Sequence, residues 1–349
     1  MDDNDVQYDV VVVGGGAAGL SGALLLARAR YRVLVLDDGT PRNAPADGVH
    51  NWLTRDGLPP AEIGRIGRAE VTGYGGVVRD ARVTGARTGS GVVVVTSGDG
   101  TEYRARRLLV TTGLTDEIPP VDGLTERWGS DVFGCPFCHA WEHRDTRIGV
   151  LSTGPHDLMK VHIARRWSDD VTLFLHTGPE PDDEQWAGYA TAGVTVVDGE
   201  VAGTVVSDGR LTGLRLGSGT VVPVDALTIS PRAVARAGFL AGLGLEPVEH
   251  PSGLGAAVPA GPDGSTSVPG IYAAGNVVDP MATVPAAVAA GSVAAAGIAR
   301  DLIMSDLATA TGTAADARAA ADPFSAASEA ECATRVAGDR VHGLDVPVR

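Results

Sequence analysis

Lysine is nearly missing from this chain: among 28 basic side chains only Lys160 is a lysine, and arginine supplies the rest. We assign that bias to genomic composition and not to mechanism. Basic charge is scarce altogether, since 43 Asp and Glu leave a net charge of −15 over 349 residues. Such a surface excludes nucleic acid and an anionic membrane as principal partners. Cysteine is scarce too, with three residues, too few for a disulfide framework. The start, Met1-Asp-Asp-Asn-Asp5, has no basic export region, so a cytoplasmic location is expected. Met281 to Ala299 is uncharged, but Ala and Gly dominate it, and it reads as a closely packed internal helix, not a membrane span. The hydrophobic content of 44% and the length suit a globular chain of two domains.

What is present is specific. Val10–Val13 is an apolar run suited to a strand buried on both faces. Gly14, Gly16 and Gly19 then give G-x-G-x-x-G, followed by helical apolar spacing from Leu20 to Ala29. A second strand, Val33–Leu36, ends in Asp37 and Asp38. This is a complete βαβ dinucleotide fingerprint with an acid at the required distance. Gly14 permits the tight turn, Gly16 lets the backbone approach a pyrophosphate, and Gly19 lets helix and strand pack closely. A carboxylate at the end of the second strand can accept from a ribose diol.

The far end identifies the nucleotide. Residues 266–279, TSVPGIYAAGNVVD, read as a strand closed by Gly275-Asn276, with an Ala-rich helix from about Pro285. That order resembles the closing flavin motif of the two-dinucleotide flavoprotein disulfide reductases. Asn276 stands where that family usually has Asp; an amide still accepts from and donates to a hydroxyl. Leu108–Gly113 resembles the family's crossover out of the flavin domain, and Val49–Gly57 its loop that puts Asn51 near the flavin. The resemblance implies FAD, held by Gly14, Gly16, Ala17, Ala18, Gly19, Asp37, Asp38, Asn43, Asn51, Val83, Thr112, Gly113, Gly275, Asn276, Thr283 and Val284.

A second α/β unit lies between Gly113 and about Glu246. RIGVLSTG, a helical stretch and DVTLFLHTG repeat the strand–turn–helix–strand plan that holds NADPH in reductases of this kind. Its turn, Ser152-Thr-Gly-Pro-His-Asp157, has one glycine where two or three are needed. After the second strand comes His176-Thr-Gly-Pro-Glu-Pro-Asp-Asp183, acidic where a 2′-phosphate needs cations. Arg165 and Arg166 sit too late in the helix to replace them. Productive NADPH binding is therefore not expected.

Within this unit stands GCPFCHAWE, residues 134–142. Cys-x-x-Cys-His is a c-type haem signature; Cys135, Cys138, His139 and His143 are also four possible zinc ligands; the pair can equally be a buried structural bridge or a redox dithiol. Haem attachment calls for export, and zinc usually takes two separated ligand hooks. We expect no metal and favour the redox dithiol. A helix N-terminus and a partner sulfur lower a thiol's pKa, Pro136 suits a first turn, and a buried His returns protons near neutrality.

Over about residues 8–305 the chain is similar to low-molecular-weight thioredoxin reductases. His139 in place of their usual Asp resembles the FAD-dependent dithiol oxidases of gliotoxin and holomycin biosynthesis, with Ala140 for their usual Gly. The resemblance implies an α/β fold of two Rossmann-like domains, the second degenerate and inserted. The segments are 1–115 and 247–305 for FAD, 116–246 for the inserted domain carrying the Cys pair, and an Ala-rich tail over 306–349. It implies Cys138 against the flavin, Cys135 exchanging with substrate, and His139 as acid/base. Glu142 would orient His139 or His143, or be solvated. The implied activity is oxidation of a small-molecule dithiol in secondary metabolism, with O2 as acceptor and H2O2 as product, in a homodimer. The alternatives are an NADPH-fed reductase acting on a thioredoxin, and a non-catalytic flavin or thiol sensor. Cys332 in the tail reads as a bystander, the tail itself as partly helical, and His156, Trp167 and Trp186 as core or surface.

Overall fold

The structure is a computed structural model that describes residues 7–89, 91–320 and 326–337. The four valines Val10–Val13 are 0–4% exposed and form the last four residues of the strand Tyr8–Val13. Each such side chain removed from water contributes roughly 1.5–3 kcal/mol. That strand pairs in parallel with Val33–Asp37 on one side and Glu102–Val110 on the other. The same sheet adds Val77–Asp80 beyond Val33–Asp37, and an antiparallel run of Val83–Gly89 and Val92–Ser97 beyond Glu102–Val110. Its seventh strand, Ile271–Ala273, returns from the far end of the chain to pair with Leu108–Val110. The sequence suggests a longer strand here; only three residues are extended before a 3₁₀ turn at Gly275–Val277.

A second, wholly parallel sheet has the order Thr195–Val197, Val171–Phe174, Ile148–Leu151, Ala226–Thr228, Val132–Phe133. Its three central strands are short and buried on both faces, as a doubly covered parallel sheet requires. The chain enters this part through Leu114–Glu117 and leaves through Arg232–Ala235, and these two strands pair antiparallel. The redox motif follows directly on Val132–Phe133, at the carboxyl edge of the second sheet, where open α/β sheets place their ligands.

The helix Val284–Ala320 begins where the Ala-rich pattern places it. By length and composition its stretch Val284–Thr311 is apolar enough to cross a membrane. Its first turns are nevertheless packed inside: Ala287, Ala294, Ala295 and Ile298 are buried, and Ser21 Oγ donates to the Val288 carbonyl at 2.9 Å. A Cβ on Gly291 would lie 2.0 Å from the Ala18 carbonyl, so only glycine lets this helix meet the first one so closely. The chain divides into two compact units, 1–298 and 299–349. The described residues of the second are helical, with Cys332 exposed and unpaired on Ala326–Ala337.

Candidate active site

The glycine turn is built for an anion. Gly14 has φ +102°, and a Cβ there would sit 2.4 Å from the Thr111 carbonyl. Thr111 Oγ1 donates to the Val13 and Gly14 carbonyls at 3.0 and 2.8 Å, locking the turn. Gly19 would meet the Gly14 carbonyl at 1.9 Å, which is the close packing its spacing predicts. Gly16 is different: it is the N-cap of the helix Ala17–Arg28, no side chain caps that helix, and nothing lies within 4 Å of its Cβ position. Open backbone N–H groups at a helix N-terminus suit a pyrophosphate. Thr112 Oγ1, nearby in sequence, is buried with no hydrogen-bond partner among the described residues, a group that a bound ligand would satisfy. The residues present fit FAD.

The remaining FAD candidates are placed as follows. Ala17 and Ala18 open the first helix and Gly113 has φ +69° after the crossover. Asp37 accepts from the Gly15 N–H at 3.0 Å and pairs with Arg68, which also reaches Asp80 at 2.8 Å. Asp38 is occupied by Thr40, whose hydroxyl donates at 2.6 Å. Asn43 lies half-buried in a turn, and Val83 opens the strand Val83–Gly89 against the first core. Gly275 has φ +80°. The Asn276 amide donates to the Asp279 and Ala282 carbonyls at 3.0 and 2.9 Å, holding the turn that leads to Thr283 and Val284 at the start of the long helix. Asn51, at φ +62°, sends its amide to the Phe137 carbonyl at 2.7 Å, so it touches the redox motif itself.

The second turn is filled. Asp157, 1% exposed, directs Oδ2 back to the N–H groups of Thr153 and Gly154 at 2.8 and 3.1 Å. Gly154 is the N-cap of the helix Pro155–Ala164, so this carboxylate occupies the helix end that a phosphate would take. Gly178 closes from the neighbouring strand end, its Cβ position only 1.9 Å from Ser152 Oγ. In the acidic loop, Asp182 caps the helix Asp183–Ala192 by accepting from the Gln185 N–H at 2.8 Å. Arg165 turns to the carbonyls of Ser168 and Asp169.

Cys135 and Cys138 are bonded to each other, Cα atoms 5.3 Å apart, with both residues half-buried. Cys135 is the N-cap of Pro136–His139, which is a single turn. This corrects the expectation of a helix strong enough to depress a thiol: one turn aligns too few peptides for a sizeable macrodipole. His139 is half-buried beside Phe133, ring centroids 6.0 Å apart, and burial pushes its pKa below the ordinary 6.5. His143 stacks on Phe133 at 5.5 Å and turns Nε2 to the Ser130 carbonyl at 3.3 Å. Glu142 makes no hydrogen bond to either ring, though its charge acts on His139. It pairs with His50, Nε2 to Oε1 at 3.5 Å, while His50 Nδ1 faces Asp56 at 3.4 Å. Phe137 and Trp141, 64% and 63% exposed, flank the disulfide; Trp167 supports Phe137 edge-on at 5.5 Å, and the Arg144 guanidinium lies 4.4 Å above Trp141.

Two residues with no motif of their own complete the site. His50 is brought in by the Asn51 loop. Lys160, from the helix Pro155–Ala164, donates to the Gly134 carbonyl at 3.0 Å and to the Ile229 carbonyl at 2.5 Å. It thereby ties the ends of two parallel strands at the carboxyl edge.

Residues 8–291 match the family described as pyridine nucleotide-disulphide oxidoreductase. The thioredoxin reductase tcpT of Claviceps purpurea is 31% identical over 297 residues, 82% of this chain and 91% of that protein. A probable thioredoxin reductase of Arthroderma benhamiae is 32% identical over 179 residues, 49% of this chain, and that match spans only 44% of the relative. The crystal structure of HlmI superposes with a TM-score of 0.83 at 39% identity, covering 91% of this chain and 98% of HlmI.

Proposed function

Given that this chain belongs to the pyridine nucleotide-disulphide oxidoreductase family, as a thioredoxin-reductase-like flavoenzyme acting on sulfur groups, we propose that it oxidises a small-molecule dithiol with O2. The observation that carries the direction of flow is Asp157. Its carboxylate takes N–H groups that a dinucleotide phosphate would use, which supports a reading without NADPH as electron donor. The exposed Phe137 and Trp141 beside the disulfide support an apolar small molecule as the substrate.

In this reading a substrate thiol gives its proton to His139 and attacks Cys135 Sγ. The Cys135–Cys138 bond breaks, a mixed disulfide forms on Cys135, and Cys138 leaves as thiolate. The second substrate thiol then attacks its partner sulfur, expelling Cys135 and closing the product disulfide. Two electrons now reside on the cysteine pair. What FAD supplies when bound is a two-electron sink for that pair that O2 can drain, with H2O2 as product. His139 suits its task because burial keeps the ring neutral, hence basic, at physiological pH.

Anaerobic mixing tests the direction. A small dithiol should bleach the yellow protein, whereas NADPH should leave it yellow. Rapid bleaching by NADPH alone would overturn the oxidase reading in favour of a thioredoxin-type reductase, and bleaching by neither would favour a sensor. A second check is the pH profile of kcat/KM for dithiol oxidation. The lowered His139 pKa puts the acidic limb below 6.5. A limb above that value that persists in His139→Asn would remove His139 from the proton transfer.

A further inference from the structure

Lys160 is the single lysine of the chain, and its side chain is 16% exposed. Its Nζ bridges the carbonyls of Gly134 and Ile229, the residues that follow the adjacent parallel strands Val132–Phe133 and Ala226–Thr228. Asp157 Oδ1 lies 4.0 Å away on the same helix, while the other two elements face Lys160 with carbonyl oxygens. Burial lowers the ammonium's pKa to about 8 against the opposing pull of Asp157, so it is charged at neutral pH. Gly134 is confined on its other sides by the Trp128 ring, 3.0 Å from its Cβ position, and by Pro231 at 3.7 Å. A planar peptide joins it to Cys135.

We propose that Lys160 is a positioning residue for the redox pair: its ammonium pins the Gly134 carbonyl and, although partly offset by the Asp157 carboxylate 4.0 Å away, supplies a positive field that favours the Cys135 thiolate. The second turn is thereby linked to the redox motif through the Asp157–Lys160 ion pair, 4.0 Å long and without a hydrogen bond. Electrostatics decide the need for the ammonium. The one-turn helix behind Cys135 carries little dipole, and a buried cation one peptide away shifts a thiol by roughly one pKa unit. The proposal rests on the reading of Cys135 and Cys138 as a redox pair. Its test uses neither oxygen, dithiol turnover nor NADPH, so the two can fail separately.

The experiment is iodoacetamide alkylation of the reduced, flavin-loaded protein, followed by mass spectrometry at Cys135 across pH. In Lys160→Met the alkylation profile should move up by about one unit. Thiolate then falls about tenfold at neutral pH while its intrinsic nucleophilicity rises about threefold, so the rate drops about threefold. A Lys160→Met protein that keeps its flavin and the wild-type profile overturns the proposal, because a lysine acting only as scaffold leaves thiol titration unmoved. Should Lys160→Met not fold, Lys160→Gln carries the same test: it removes the charge and keeps an amide donor.

Discussion

Two turns in this molecule follow a buried parallel strand and open a helix with glycine at the N-cap, Gly16 in one sheet and Gly154 in the other. Neither glycine has an atom within 4 Å of its Cβ position. What differs is the third residue of the helix. After Gly16 comes Ala-Ala-Gly19, which offers no side chain to turn back, so the N–H groups stay open. After Gly154 comes Pro-His-Asp157, and the carboxylate folds over its own helix end. The same backbone device is left open by its own side chains in one place and is satisfied by an internal carboxylate in the other. One substituted residue, three positions into a helix, decides which.

The largest effect should come from closing the first turn. Gly14→Val forces a branched side chain into positive φ and onto the Thr111 carbonyl, and flavin absorbance should disappear from the purified protein. Removing the plug of the second turn comes next. Asp157→Ala leaves two N–H groups and the Lys160 ammonium without their buried carboxylate, a loss of about 2–4 kcal/mol in denaturant unfolding. The flavin should remain; flavin loss in this variant would join the two turns that we hold apart. The smallest effects make the sharpest pair. Gly16→Ala should leave stability within about 0.5 kcal/mol yet weaken flavin retention at least about tenfold, since only the ligand meets the new methyl. Gly154→Ala should change neither quantity, and a flavin deficit there would break the contrast.

How much of this was legible in the sequence follows from range. The first turn is readable because its glycines, helix and acid lie within thirty residues at a spacing imposed by backbone geometry, although Thr111, which locks it, comes from far along the chain. In the second turn the sequence shows one glycine where more are usual, but not the plug: Asp157 looks like any first-turn acid until its Oδ2 is seen on Thr153 and Gly154. Cys135, Cys138 and His139 announce themselves by adjacency. His50 does not, because its partners Asp56 and Glu142 meet it only after the Val49–Leu58 loop folds against the redox motif. Lys160 was the hardest. As a composition it signals nothing but codon usage; its role exists only where two strand ends come within reach of one ammonium. The helix after Cys135 is shorter than its start implies, since Pro136 marks a helix start but says nothing of its length, here one turn.

The redox motif is gripped at two carbonyls by bonds of unequal strength. Lys160 holds Gly134 from the helix Pro155–Ala164 beside the second sheet, through a buried charged donor. Asn51 holds Phe137 from the loop before the second strand-connecting helix of the first sheet, through a neutral amide at an exposed site, and the His50–Glu142 contact beside it is half-solvated. Neutral or solvent-screened contacts of that kind contribute about 1 kcal/mol or less each. If the two sheets swing apart, the break falls at Asn51 and His50, and the disulfide travels with Lys160 as cargo of the second sheet. The joint is a latch on one side and a weld on the other.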